Sequence, residues 1–243
     1  KDELAEIMTR EMCKPVFETK GDIQEAIDTC YYAATETRRL FGHNAPSEMP
    51  DKMNLSFRVP VGICGIITAW NFPIAVPSWK IIPALAAGNV VIFKPSEDSP
   101  LSANIFAEIM EQAGLPKGVF NVLHGAAEIG DAIVNHPDIN LIGFTGSTQT
   151  GKSIAAKCGE LNKKVSLEMG GKNAQIVMDD ANLELALEGA LWGAYGTTGQ
   201  RCTATSRVLL HSAIHDKFIS MFKEKVQNLK LGDGLNPKTD VGP

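Results

Sequence analysis

The 243-residue chain is 44% hydrophobic and 21% charged, with a formal net charge of −5. That is globular composition, long enough to bury a core without structural metals, and its acidic balance gives no electrostatic reason to bind nucleic acid or anionic lipid. Five cysteines (Cys13, Cys30, Cys64, Cys158, Cys202) stand singly without a CxxC pair, so neither a disulfide framework nor a metal site is expected, and a cytoplasmic, reducing setting fits. No run reaches the roughly 18 to 20 apolar residues that span a bilayer, so no membrane partner is expected.

In chain order, Lys1–Met12 reads as a helix already under way, and apolar or small residues at Ile23, Ala26, Ile27, Cys30, Tyr31 and Ala34 predict a helix over Asp22–Leu40. His43–Asp51 is turn-rich, and Lys52–Val59 reads as an edge or hairpin strand. Short apolar strands and helices then alternate. Strands are expected at Val61–Thr68, Val90–Lys94, Val119–His124, Leu141–Thr145, Val165–Glu168, Ala174–Val177 and Val208–His211. Helices are expected at Pro77–Ala87, Ser99–Ala113, Glu128–Asn135, Thr150–Cys158, Leu183–Gly193 and Ala213–Lys230. This alternation predicts an α/β fold: a Rossmann-like parallel sheet with helices on both faces, then the start of a second α/β domain. The boundary is expected near residue 170, giving units 1–170 and 171–243, and both ends read as cut.

In open α/β sheets, ligands bind beyond the carboxyl ends of the strands. Four polar segments follow predicted strands: Trp70-Asn71-Phe72-Pro73, Lys94-Pro95-Ser96-Glu97, Thr145–Gly151 and Glu168-Met169-Gly170-Gly171-Lys172. A fifth, Gly199-Gln200-Arg201-Cys202, follows a Gly/Thr-rich turn. Each alone has a plain structural explanation. Asn71 suits an Asx turn, Lys94 and Glu97 a surface ion pair, Gly146-Ser147 a helix N-cap, and a lone cysteine the core.

Together, the segments WNFP, FKPSE, FTGSTQTG, LEMGGKN and GQRC resemble, in order and spacing, the signature of the aldehyde dehydrogenase superfamily, from about Ile23 to the last residue. The resemblance implies an NAD(P)-dependent oxidoreductase that oxidises an aldehyde to a carboxylic acid through a cysteine thiohemiacetal and thioester. It assigns Cys202 as nucleophile, Glu168 as the base that activates water, and Asn71 with the Cys202 backbone N–H as oxyanion donors. It assigns the cofactor to Thr68, Trp70, Lys94, Ser96, Glu97, Gly146, Ser147, Gly151, Met169 and Gly170. No GxGxxG fingerprint is present, and the resemblance does not require one. Glu97 leans towards NAD, because a carboxylate accepts from a free 2′-OH and repels a 2′-phosphate, while Lys94 leaves NADP use open.

Phe72 and Trp79 match the aldehyde tunnel of relatives, and Arg201, if it faces that tunnel, would suit a semialdehyde acid. Residues 43–59 match the oligomerisation arm of a homodimer or homotetramer. Superfamily members run to about twice this length, so the isolated chain is expected to turn over little or no substrate. Two other readings are a non-catalytic relative that keeps the fold and a reductase of acyl phosphates. Retention of Asn71, Glu168 and Cys202 speaks against the first, and the hydrolytic base Glu168 against the second.

Overall fold

The computed structural model describes all 243 residues. Two compact units divide them. A sheet unit comprises Asp22–Thr145 and Gln149–Leu167, and a cysteine unit comprises Lys1–Gly21, Gly146–Thr148 and Glu168–Pro243. The grouping departs from a single boundary near 170, because Lys1–Gly21 sides with the C-terminal residues. Val16 N–H donates to Gly234 O at 2.9 Å and the Gln200 side chain to Met12 O at 3.1 Å, contacts that no local pattern announces.

The chain opens with helices α1 (Asp2–Met12) and α2 (Val16–Glu36). α2 starts six residues earlier than its apolar spacing predicts, because the buried positions of its first turns are Glu18, Thr19 and Asp22. An exposed antiparallel hairpin follows, β1 (Asn44–Pro46) with β2 (Met53–Leu55). The main sheet is built from β3 (Ile63–Ile67), β4 (Val90–Lys94), β5 (Phe120–Val122), β6 (Ile139–Gly146) and β7 (Lys164–Met169), in spatial order β5-β4-β3-β6-β7. The β3–β4, β4–β5 and β3–β6 pairs are parallel.

Successive crossovers through α3 (Ala75–Ala86) and α4 (Pro100–Gln112) carry the chain outward from β3 to β5. α5 (Ala127–Asn135) then returns it to the other side of β3, and α6 (Thr148–Glu160) continues to β7. Right-handed crossovers in opposite directions put α3 and α4 on one face and α5 and α6 on the other. The topological switch point therefore lies between β3 and β6, where doubly wound sheets bind ligands.

Burial follows from this layering. Ile67, Ile142 and Phe144 pack with Ile133, Val134, Ile154 and Cys158 of α5 and α6. Fully buried Phe93 stacks on Phe120 with ring centroids 6.1 Å apart, and Phe106 of α4 meets the Phe120 ring edge-on. Ile74, just before α3, offers no side-chain cap, and Asp22 supplies one from a distance: its Oδ1 accepts the Ala75 N–H at 2.6 Å.

In the cysteine unit, parallel strands β8 (Asn173–Val177) and β9 (Thr205–Leu210) pack with α7 (Leu183–Tyr195) and α8 (His215–Gln227). Val177, Leu187, Ala190, Ile214 and Phe218 form the core there. No helix is long and apolar enough to cross a membrane.

Candidate active site

Within the sheet unit, the assigned residues cluster in sequence after β3 and β4. Thr68 directly follows β3, and its N–H donates to Lys94 O at 3.2 Å. Trp70 is exposed, while Asn71 and Phe72 are half-buried in the turn that enters α3, where Phe72 O accepts the Val76 N–H at 3.2 Å. Trp79 lies on α3 and is 47% exposed.

Lys94 ends β4 and is buried. Its ammonium donates to Pro95 O at 2.9 Å and stands 3.5 Å from Glu97 Oε2, whose side chain is largely exposed. Ser96 Oγ accepts the Asp98 N–H at 3.3 Å and lies 3.3 Å from Asp98 Oδ2. Gly151 is buried within α6.

The residues present fit a dinucleotide. The hydroxyls of Thr68 and Thr145, one step past the Ile67–Phe144 register pair at the carboxyl ends of β3 and β6, are buried and make no hydrogen bond within the protein. Buried hydroxyls normally find partners, so two orphans at a switch point suit a polar ligand. Lys94 offers a cationic donor there and Glu97 a mostly exposed acceptor.

Within the cysteine unit, Glu168 and Met169 end β7 and Gly170 follows it; Glu168 and Gly170 are exposed and Met169 half-buried. Gly146 and Ser147 lead into α6, which starts at Thr148, and Thr148 Oγ1 donates to Gly170 O at 3.4 Å.

Cys202 is exposed and occupies a central position of a turn closed by Ala204 N–H donating to Arg201 O at 3.1 Å. Its backbone is held on both sides. Asn173 Nδ2 donates to the Cys202 carbonyl at 2.6 Å and lies 3.2 Å from Ala204 O.

Upstream, a 3-10 turn over Gly196–Gly199 contains Thr197 (φ 53°, ψ 36°) and Thr198 (φ 57°, ψ 28°), followed by Gly199 at φ 70°. A non-glycine residue in this left-handed region costs on the order of 1–3 kcal/mol and persists only where its surroundings enforce it.

Arg201 points back along α7. Its guanidinium lies 4.7 Å from the Trp192 ring centroid, and its Nη2 donates to Trp192 O and, at 3.4 Å, to Gly193 O. The helix C-terminus thus receives a cation, the sign its dipole favours. Arg201 Nε is buried and makes no hydrogen bond.

Asn173, which meets Cys202, and Glu18, which accepts the Thr197 N–H upstream of it, are absent from the assigned site residues. Asn173 was visible as the last letter of LEMGGKN. Glu18 carried no signal.

A family model described as the aldehyde dehydrogenase family matches residues 1–243. The chain is 43% identical to the mitochondrial succinate-semialdehyde dehydrogenase of Arabidopsis thaliana, covering all of this chain and 46% of that protein. It is 41% identical to the glutarate-semialdehyde dehydrogenase of Pseudomonas aeruginosa, covering all of this chain and 50% of the relative. Among solved structures, a betaine aldehyde dehydrogenase point mutant from Staphylococcus aureus, in complex with NAD+, superposes with a TM-score of 0.97 at 38% identity, covering all of this chain and 50% of that one. The chain spans about half the length of the curated relatives it matches.

Proposed function

Because the chain belongs to the aldehyde dehydrogenase family, we propose that it contributes the cofactor-binding part and the nucleophile of an enzyme that oxidises an aldehyde to a carboxylic acid with NAD or NADP. The observation that carries this reading is the exposure of Cys202 in a turn whose backbone is pinned by Asn173 and preceded by a strained left-handed stretch. Buried Cys64 and Cys158 have thiols pushed up by burial and are suited to packing instead.

In the proposed reaction the Cys202 thiolate adds to the aldehyde carbon, and the carbonyl π electrons move to oxygen. The Cys202 backbone N–H and the Asn71 amide donate to that oxygen; losing one such donor costs about 3–4 kcal/mol of transition-state stabilisation. A bound dinucleotide would supply the hydride acceptor, so that Cys202 comes to hold the acyl group as a thioester. Glu168 takes a proton from water as the water oxygen adds to the thioester carbon, and the Cys202 thiolate departs from the acid. The hydrolytic base favours water over coenzyme A as acyl acceptor.

The dinucleotide would be held by Thr68, Trp70, Lys94, Ser96 and Glu97 from the ends of β3 and β4, with Gly146, Ser147, Gly151, Met169 and Gly170 allowing close backbone approach. The residues that would meet the aldehyde are Phe72, Trp79 and Arg201. Relatives named for succinate and glutarate semialdehydes support an acid-bearing substrate. Arg201 would serve it only through donors not engaged by Trp192 and Gly193. Its second reading, as a cap that fixes the end of α7, has direct geometric support. The exposed apolar side chains Met49, Met53, Leu55, Phe57 and Val59 in and beside the β1–β2 hairpin support assembly with further copies as a homodimer or homotetramer. The cysteines are all free, in keeping with a cytoplasmic setting.

The test is rapid mixing of the full-length protein with a panel of aldehydes and each cofactor. A burst of reduced cofactor equal to the Cys202 content is expected, absent in Cys202→Ser. Glu168→Gln should keep the burst and lose steady turnover. Unimpaired turnover in Cys202→Ser would refute the reading.

A further inference from the structure

We propose that Glu18 is a positioning residue for Cys202, acting as the backbone acceptor that locks the left-handed segment leading into the nucleophile turn. The inference rests on the reading of Cys202 as nucleophile and adds a device that sets its geometry. All the groups involved belong to the cysteine unit.

Glu18 is 7% exposed, a rare place for a carboxylate. One of its oxygens, Oε1, accepts the Thr197 N–H at 2.6 Å, and the other, Oε2, is buried without a hydrogen bond. A residue chosen for packing alone would be apolar here, because an acid with an unsatisfied oxygen is costly to bury. Fully buried Lys14 and the Arg201 guanidinium offset the charge electrostatically.

What the carboxylate secures is the start of the strained stretch. Thr197 and Thr198 are β-branched residues in the left-handed region, a conformation that relaxes unless several contacts enforce it. Further contacts besides Glu18 meet this segment. Gln200 Nε2 donates to Met12 O at 3.1 Å, and Gln200 N–H to Thr197 O at 3.0 Å. Gly242 N–H donates to Thr198 Oγ1 at 3.2 Å. Only glycine can deliver the residue 242 donor, because a Cβ there would clash with Cys13 O.

Of these, the Glu18 bond is the shortest and involves an ionisable acceptor, the stronger kind. It also fixes the first left-handed residue, from which the direction of Gly199, Gln200, Arg201 and Cys202 follows. Loss of the acceptor should let Thr197 relax towards negative φ and swing the Cys202 sulfur off line, without touching cofactor or substrate.

The test compares Glu18→Gln and Glu18→Met in the full-length protein. Gln keeps a carbonyl oxygen for the Thr197 N–H, whereas Met fills similar space and accepts nothing comparable. The first readout is the rate of alkylation by iodoacetamide at Cys202, followed by peptide mass with exposed Cys30 as internal reference. The second is the split between kcat and KM.

Glu18→Met should slow Cys202 alkylation and kcat about tenfold or more, since small misplacements of a reacting group carry penalties of this size, with KM within about twofold. Glu18→Gln should stay within about threefold of the parent on both readouts. Parent-like Cys202 reactivity in Glu18→Met, or an equal loss in Glu18→Gln, would overturn the proposal. So would opening of buried Cys64 and Cys158 to the reagent in the Met variant, which would assign Glu18 to the fold at large. Because alkylation needs neither aldehyde nor cofactor, these outcomes are separable from a failure of the dehydrogenase reading, which Cys202→Ser reports.

Discussion

The Asn173 side-chain amide donates to the carbonyl oxygen of Cys202 at 2.6 Å and reaches Ala204 O at 3.2 Å. Asn173 opens β8 and pairs in register with Thr205 of β9, so a rigid strand end grips the turn that presents the thiol. Asn173→Ala removes that grip while leaving the strand pairing intact. Because the amide is exposed, the stability cost should be about 1 kcal/mol or less. The kinetic cost should be larger, a fall in kcat of about tenfold with little change in KM, because the defect lies in orientation and not in substrate contact. Steady-state kinetics beside urea unfolding check both parts, and an unchanged kcat would remove Asn173 from the site.

Asp22 does the corresponding structural work at the start of α3. Its carboxylate, 1% exposed, accepts the Ala75 N–H at 2.6 Å, where Ile74 has no oxygen to offer. A charged acceptor at a helix N-terminus is favoured by both the orphan N–H and the helix dipole. Asp22→Ala should cost about 2–3 kcal/mol and Asp22→Asn less, read as a drop in the urea midpoint at unchanged m value. The turn carrying Asn71 immediately precedes α3, so kcat should fall as well. An Ala variant as stable as the parent would show that the helix start is held by something else.

How much of this could be read from the letters depended on whether the burial pattern was apolar and local. The bounds of β4 are legible to the residue, because Val90–Phe93 is a continuous apolar run bounded by Gly88-Asn89 and Pro95. The end-of-strand segments were legible for the same reason, since the strands before them announce themselves. α2 begins before its apolar spacing does, because Glu18, Thr19 and Asp22 face inward and erase that spacing in its first turns. Lys52–Val59 shrank to Met53–Leu55, because the hairpin has no buried face to impose a pattern. The long-range acceptors leave no local pattern in the sequence. Glu18 meets Thr197 across 179 residues and Asp22 meets Ala75 across 53, and such pairings are set by the tertiary fold.

Glu97 gives a prediction about cofactor choice. Its carboxylate lies 3.5 Å from the buried Lys94 ammonium and is itself mostly in solvent. In the proposed site it accepts from a free ribose hydroxyl and repels a 2′-phosphate. Glu97→Gln should therefore raise kcat/KM with NADP and lower it with NAD, moving the ratio by about tenfold, the size expected for one charge-assisted hydrogen bond. Equal changes with both cofactors would show that Glu97 does not meet the ribose.

The last prediction concerns pH. Burial pushes the Glu18 carboxyl above its ordinary value of 4.5, and the Thr197 N–H, Lys14 and Arg201 oppose that rise without cancelling it. The folded chain therefore holds this proton more tightly than the unfolded chain does. Between 4.5 and the folded value the fold takes up proton in excess, so Glu18's contribution to stability is fully present below 4.5 and is lost as pH rises through the folded value. Glu18→Gln has no proton to titrate and lacks this term. The unfolding free energy of the parent minus that of Glu18→Gln should thus become less favourable as pH rises from about 4.5 through the folded value and stay level above it. Urea unfolding of both proteins at a series of pH values checks it. A difference that moves in the parent's favour as pH rises would mean that Lys14, Arg201 and the Thr197 N–H outweigh burial.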